Sequence, residues 1–210
     1  MYWHRTPRWL TWLYPELIWH KNREEKKLYI TFDDGPVPEV TPWVLDTLDN
    51  YNAKATFFCV GENIQKNPAL FKELSNRGHM VGNHTHTHIN GWKTNATDYL
   101  ENVDQCQSQM QTCIESKGTK PLMRPPYGRI KQAQIRQLTP KFQIIMWDVL
   151  SGDFDQSKKP EACLNASINA TQSGSIVIFH DSLKAQQNLA YILPRFLNHF
   201  ATQGFAFPVL

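Results

Sequence analysis

The chain has 210 residues, 41% of them hydrophobic and 20% charged, and its 22 basic and 19 acidic side chains leave a formal charge of +3. A chain of this size buries roughly 70% of the surface its unfolded form exposes, enough for one substantial core. The near balance of charge excludes a charge-driven nucleic-acid binder and an acidic tail, and 12% aromatic content without low-complexity blocks excludes disorder.

The leader MYWHRTPRWLTWLYPELIWHK carries aromatics and arginines but does not read as an export signal. Pro7, Thr11, Tyr14, Pro15 and Glu16 interrupt any apolar run, and no small-residue cleavage site follows. No stretch reaches the roughly 18 apolar residues of a membrane span. A cytoplasmic or membrane-peripheral location is therefore expected, or a chain already stripped of a signal. Residues 1–25 have the composition of a segment that lies in a membrane interface. The commoner fate of such a segment is a strap across the base of a domain, so residues 1–27 are read as a Trp-rich strap and 28–210 as one domain.

From Leu28 onward, β-rich runs alternate with helical ones. LYITF (28–32) is the first strand, and Thr41-Pro42 reads as an N-cap with proline at the first helical position, opening a helix to about Tyr51. ATFFCV (55–60) is the second strand; Asn67-Pro68 repeats the cap signal, and that helix stops at Gly78. MVGN (80–83) follows. A long helix is predicted from near Asn95 to Gly118, with Tyr99, Val103, Cys106, Met110 and Cys113 at helical spacing. Then come LMR (122–124), a short helix near 131–138, FQIIMW (142–147), a helix over 160–171, SIVIFH (175–180), a last helix over 188–203 and the closing AFPV. Alternation of this kind predicts an α/β fold with a parallel sheet. About seven strands without a glycine-rich dinucleotide fingerprint favour a distorted (β/α) barrel over an open sheet.

Cys59, Cys106, Cys113 and Cys163 show no C-x-x-C spacing. Cys106 and Cys113 sit about 10 Å apart along one predicted helix, too far for a disulfide. Four buried thiols are expected, and nothing demands an oxidising compartment.

Reactive residues collect at the carboxyl ends of the predicted strands. Asp33 and Asp34 follow the first, His84, His86 and His88 the third, Arg124 ends the fourth, Asp148 follows the fifth, and His180 and Asp181 end the sixth. In a parallel barrel these ends share one face, where active sites are built. The i, i+4 spacing of His84 and His88 on a helical turn would put both imidazoles on one side, able to share a metal. With one carboxylate of the Asp33-Asp34 pair they make a three-ligand set that leaves a coordination position for water. His86 would point elsewhere, in a supporting or structural role.

TFDDGP (31–36), GNHTHTH (82–88), RPPYG (124–128), WDVLSGDF (147–154) and IVIFHD (176–181) occur in this order. The set resembles the polysaccharide deacetylase family, the NodB-homology carbohydrate esterases of family 4, from about Leu28 to the C-terminus. The resemblance implies a catalytic domain with one divalent metal, most often zinc (with Co²⁺, Ni²⁺ or Mn²⁺ as alternatives), that hydrolyses N-acetyl groups of an N-acetylhexosamine-containing saccharide. It implies Asp34, His84 and His88 as metal ligands, Asp33 as general base and His180 as general acid. Arg124 would orient Asp33, Asp153 would tune His180, and the Tyr127 N–H would help hold the oxyanion. Trp147 and Ile178 would wall the acetyl pocket.

Departures from the pattern are Leu150, where many members carry an aspartate that Asp153 would replace, and Phe154 in place of tryptophan. Asp148 is an added carboxylate that contacts substrate or, more commonly for such a residue, stays in a solvated loop; Asp181 is expected to be a helix cap, while Trp92 borders a sugar groove or packs in the core. Two other functions remain open: a deformylase or amidohydrolase of a lipid-linked or small acylated sugar, and a catalytically silent saccharide-binding protein on the same fold.

Overall fold

Strand side chains alternate between faces, and in this protein the two faces receive different chemistry. The computed structural model describes residues 2–115 and 120–210. Seven strands run through them: β1 (Tyr29–Asp33), β2 (Ala55–Cys59), β3 (Met80–Asn83), β4 (Leu122–Met123), β5 (Gln143–Ile144), β6 (Val149–Leu150) and β7 (Ile176–His180). All pair in parallel, in the order β5-β4-β3-β2-β1-β7-β6.

On β1, Ile30 and Phe32 face one layer and Thr31 and Asp33 the other. Phe32 stacks on Phe57 of β2 at 4.9 Å between ring centroids. Together with Val177 and Phe179 of β7 they form the main core, to which α2 (Thr41–Asp49), α4 (Pro68–Asn76), α7 (Pro160–Ala170) and α8 (Gln186–Ala201) all contribute side chains. Burying each such side chain contributes about 1.5–3 kcal/mol relative to leaving it in water. A second core joins Tyr99 and Val103 of α5 (Ala96–Gln111) to Met123, Ile144, Ile135 and Leu138, the last two from α6 (Gln132–Leu138), and to Leu17 and Trp19 of the leader. The opposite face of β1 pairs Thr31 with Ile178 and Asp33 with His180. Polar side chains are thereby concentrated on the concave side.

The sheet ends in two free edges, β5 and β6, and the leader meets both. The Ile18 N–H donates to the Ile144 carbonyl, the Met146 N–H to Ile18, the Thr6 N–H to Asp148 and the Leu150 N–H to His4. Both edges therefore lie within reach of one short segment, which requires the sheet to curl towards closure. The leader runs from the carboxyl end of β6, where a bridge pairs Arg5 with Val149, to the opposite end, where His20 pairs with Ser175. It is a strap between the edges rather than across the base. Its helix α1 (Arg8–Leu13) buries no residue fully.

Most predicted elements appear within two residues of their expected bounds, with instructive exceptions. FQIIMW shrinks to the two residues of β5: Ile145 keeps its N–H on the Met123 carbonyl while bridging to Ile18, and the Met146 N–H goes to the leader. β6 and the helix α3 (Gly61–Lys66) were not expected from the sequence. Thr41 does not cap α2: Val40 takes that position, and the Thr41 hydroxyl bonds Asp181. α5 is capped by the Asn95 side chain, which accepts from the Asp98 N–H, and it ends at Gln111; the expected end at Gly118 lies outside the described residues. Three cysteines are buried, Cys113 is only half-buried, and all four are free thiols. Among the described residues no helix is long and apolar enough to cross a membrane.

The buried Trp19 indole, which donates to the Tyr14 carbonyl, is the leader's main anchor. Trp19→Ala is expected to lower the free energy of unfolding by about 3–5 kcal/mol, measured as a fall in the urea midpoint at unchanged slope.

Candidate functional site

The site is assembled where β1, β3, β4 and β7 end. Asp34 follows β1 with φ +87°, a left-handed conformation that an aspartate tolerates better than a branched residue. Its backbone carbonyl accepts from the Asn63 side chain at 2.7 Å. Gly35 comes next because nothing larger fits: a Cβ there would lie 2.0 Å from Asp181 Oδ2. Asp181 accepts from the Gly35 N–H at 3.0 Å and from the Thr41 hydroxyl at 2.7 Å. Burial pushes its carboxyl up to about 8 against the opposing pull of the Thr41 hydrogen bond. The helix-cap expectation for Asp181 is thus corrected: α8 begins after Ala185 with no side-chain cap, and Asp181 pins the loop that carries Asp34.

His84 and His88 do not sit on a helical turn. They span an irregular loop after β3 in which Thr85 and His88 take φ +62° and +54°. The loop still turns both rings to one place, with centroids 5.1 Å apart. His88 Nε2 lies 3.2 Å and His84 Nε2 3.9 Å from Asp34 Oδ1, and one donor atom from each of the three residues falls within 4.8 Å of the others. His84 Nδ1 donates to the Arg124 carbonyl at 2.8 Å, leaving its Nε2 lone pair turned to the cluster. Burial holds the His84 imidazole down at about 4, and so neutral at ordinary pH. Asp34 is held well below the usual carboxylate range: burial works against this, but the His88 hydrogen bond and the surrounding imidazoles outweigh it. A neutral imidazole with a fixed tautomer, a second imidazole and an ionised carboxylate suit a divalent cation such as zinc. His86 is buried with its ring against Gly61 and is not one of the clustered donors.

Asp33 points to the concave face beside this cluster. Arg124 Nη1 donates to its Oδ1 at 2.7 Å, while Oδ2 stands 3.9 Å from His84 Nε2. The Arg124 guanidinium is fully buried and lies 4.1 Å from the Phe58 ring centroid. It also donates to the Thr31 hydroxyl and to the carbonyls of Ile145 and Met146. Across the sheet, Asp153 Oδ1 meets His180 Nδ1 at 2.8 Å, and its Oδ2 accepts the His180 N–H at 2.7 Å. The Ser151 hydroxyl completes Asp153. Burial opposes charge on His180, but Asp153, with Asp34 and Asp33, overrides it and raises the imidazole to about 9.

Tyr127 sits in the 3₁₀ turn Pro126–Gly128 at φ +61°, its ring edge-on to His88 at 4.7 Å. Trp147 packs over Gly128, and buried Ile178 lies two residues before His180 on β7. Phe154 stands edge-on to His180 at 5.2 Å, and half-buried Leu150 takes part in β6 rather than the site. Asp148 is no solvated residue: it is buried, ion-paired to Arg23 at 2.9 Å and bonded to the Ser175 hydroxyl. Trp92 is 59% exposed, which removes the core reading. Thr31, Ser151 and Asn63 support the site and were missed in the sequence. Thr31 and Ser151 lie inside quoted motifs, but nothing in their spacing marks them.

A model of the family described as polysaccharide deacetylase matches residues 20–144. The chain belongs to that family. Among curated relatives, two peptidoglycan-N-acetylglucosamine deacetylases of Bacillus cereus are each 33% identical. One alignment covers 91% of this chain and 89% of the relative, the other 86% and 66%, so the chain spans less than two thirds of that second protein. A solved peptidoglycan N-acetylglucosamine deacetylase, in complex with 4-naphthalen-1-yl-N-oxidanyl-benzamide, superposes with a TM-score of 0.88 at 30% identity, covering 98% of this chain and 95% of that one. The sequence resemblance and the seven-stranded family fold are thereby established.

The His180–Asp153 pair makes stability pH-dependent. The folded imidazole titrates near 9 against an ordinary value of 6.5, so its contribution is whole below about pH 6.5 and is lost as pH rises through about 9. In a proton NMR titration His180 should titrate well above 6.5. Asp153→Asn should lower it, because the strongest opponent of burial is removed and only the more distant Asp34 and Asp33 carboxylates still favour the charged ring.

Proposed function

We propose that this protein is a metal-dependent N-deacetylase acting on the N-acetylglucosamine units of a saccharide such as peptidoglycan or a chitooligosaccharide. The observation that carries the reading is the pair of opposed dyads, Arg124–Asp33 at 2.7 Å and Asp153–His180 at 2.8 Å, whose Asp33 and His180 are paired across β1 and β7 beside Asp34, His84 and His88. The names of the relatives supply the substrate class.

Asp34, His84 and His88 would hold the cation. When bound, it supplies a lowered water pKa and polarisation of the acyl oxygen. Asp33 takes the proton of the attacking water through Oδ2, the oxygen that Arg124 leaves free. The guanidinium pairs with this carboxylate and fixes its direction, which a general base needs. The Tyr127 N–H donates to the oxyanion as it forms. His180, charged at neutral pH, donates from Nε2 to the departing amine, and Asp153 holds Nδ1 so that this nitrogen faces the reaction. Trp147 and Ile178 close round the acetyl methyl group. The two carboxylates Asp33 and Asp34 thus divide the work, one on the water and one on the metal.

Acetate release from chitooligosaccharides and peptidoglycan fragments, with and without chelator, tests the reading: acetate should appear and chelation should abolish it. Saccharide binding with no acetate from any of these substrates would leave a silent binder instead. Asp33→Asn should retain the metal yet lower kcat by about 10²–10⁴-fold. His84→Ala should lose the metal, and unchanged zinc content in the dialysed variant, read by elemental analysis, would refute the ligand assignment.

A further inference from the structure

Beside the site, at its rim, lies a groove of about 480 Å³, within the size range of small-ligand sites. One wall is the site's own: Tyr127, Gly128 and Trp147. The facing wall is the leader, with Trp3 and Trp9, and Trp92 stands at the rim. Four aromatic side chains exposed by 58–62% (Trp3, Trp9, Trp92 and Tyr127) therefore gather around one depression. Scattered exposed aromatics need no explanation, but a cluster beside a reaction centre does.

The groove is built rather than incidental. The Thr6 hydroxyl donates to the Trp147 carbonyl at 2.8 Å, and the Thr6 N–H donates to Asp148. The leader is thus tied to the same segment that supplies the site's wall. Trp92 is held through Nε1 by the Ile130 carbonyl, and the Arg129 guanidinium lies 5.2 Å from its ring centroid. Contact runs unbroken to the metal-ligand cluster, because the Tyr127 ring touches His88 and a Cβ on Gly128 would come within 2.4 Å of Trp147.

An occupant of this groove must be continuous with the group undergoing reaction, since the two share Tyr127 and Trp147. The walls offer aromatic faces and few hydrogen-bonding groups, while one side stays open to water. A pyranose fits those terms. Its C–H face packs against the negative face of an aromatic ring, and its edge hydroxyls keep their water on the open side. We propose that the groove is a saccharide subsite in which Trp3 and Trp9 of the leader stack the sugar next to the one being deacetylated. This rests on the deacetylase reading for the identity of the chain, and it makes the leader a determinant of preference for oligomers over monomers.

The test is calorimetric binding of chitopentaose and of monomeric N-acetylglucosamine to the zinc-loaded full chain carrying Asp33→Asn, which suppresses turnover. Adding Trp3→Ala and Trp9→Ala should weaken chitopentaose binding roughly tenfold or more and leave the monomer unaffected. Phenylalanine at both positions should restore most of the loss. Trp12→Ala, which removes an exposed indole that does not line the groove, should change neither. Three outcomes would overturn the proposal. The double alanine variant could bind the pentamer as tightly as its parent, or the parent could bind pentamer and monomer equally. Alternatively, the alanine changes could abolish binding to phosphatidylglycerol vesicles with pentamer affinity intact, which would assign the face to a membrane. Acetate release by the unmodified chain is read separately, so a silent protein that still shows the pentamer effect would lose the deacetylase reading and keep the subsite.

Discussion

A guanidinium with no exposure to solvent sits beneath the reaction centre, and the architecture around it is arranged to keep it there. Taking a charge out of water costs several kcal/mol unless it is paired and hydrogen-bonded. Arg124 meets that condition through Asp33, the Thr31 hydroxyl and two backbone carbonyls, with the Phe58 ring against its plane. Those partners come from β1, from β2 and from the turn after β5. The concave face can only close around the arginine if these elements hold their register. Burial pulls its pKa below the ordinary arginine value, opposed by Asp33, yet a guanidinium so far above neutrality remains charged. It therefore keeps the adjacent carboxylate paired and aimed.

The same logic recurs with opposite sign at His180. There a fully buried carboxylate, Asp153, holds a cation-forming ring, and the result is a proton donor rather than an acceptor. Two ion pairs of opposite polarity thus meet where Asp33 and His180 pair across β1 and β7, with the Asp34, His84 and His88 cluster beside them.

The leader joins this arrangement in two places. It supplies hydrogen-bond partners to both free sheet edges, which would otherwise expose unpaired backbone groups. It also brings Tyr2 against Phe154, the ring that touches His180, at 5.2 Å between centroids. A segment that reads as an appendage in one dimension is a structural wall in three.

The order of strands and helices was legible because each carries its own local signal: β-branched and aromatic runs, Asn-Pro and Thr-Pro starts, a glycine stop. The placement of Asp33, Asp34, His84, His88, Arg124 and His180 at one rim followed from the parallel topology those signals imply, since each lies at or next to a strand's carboxyl end. What sequence spacing misjudged were contacts between distant segments. The two histidines converge through positive-φ loop residues rather than a helical turn. Asp148 is buried because Arg23, 125 positions away, reaches it, and Asp181 bonds Gly35 and Thr41 instead of its own helix. β6 is too short to announce itself and exists because β7 on one side and the leader on the other complete its hydrogen bonds. Local pattern sets the type of each element because propensity and periodicity act over a few residues. Which buried charge finds which partner depends on chain closure, and only the folded chain brings those atoms within a few ångströms.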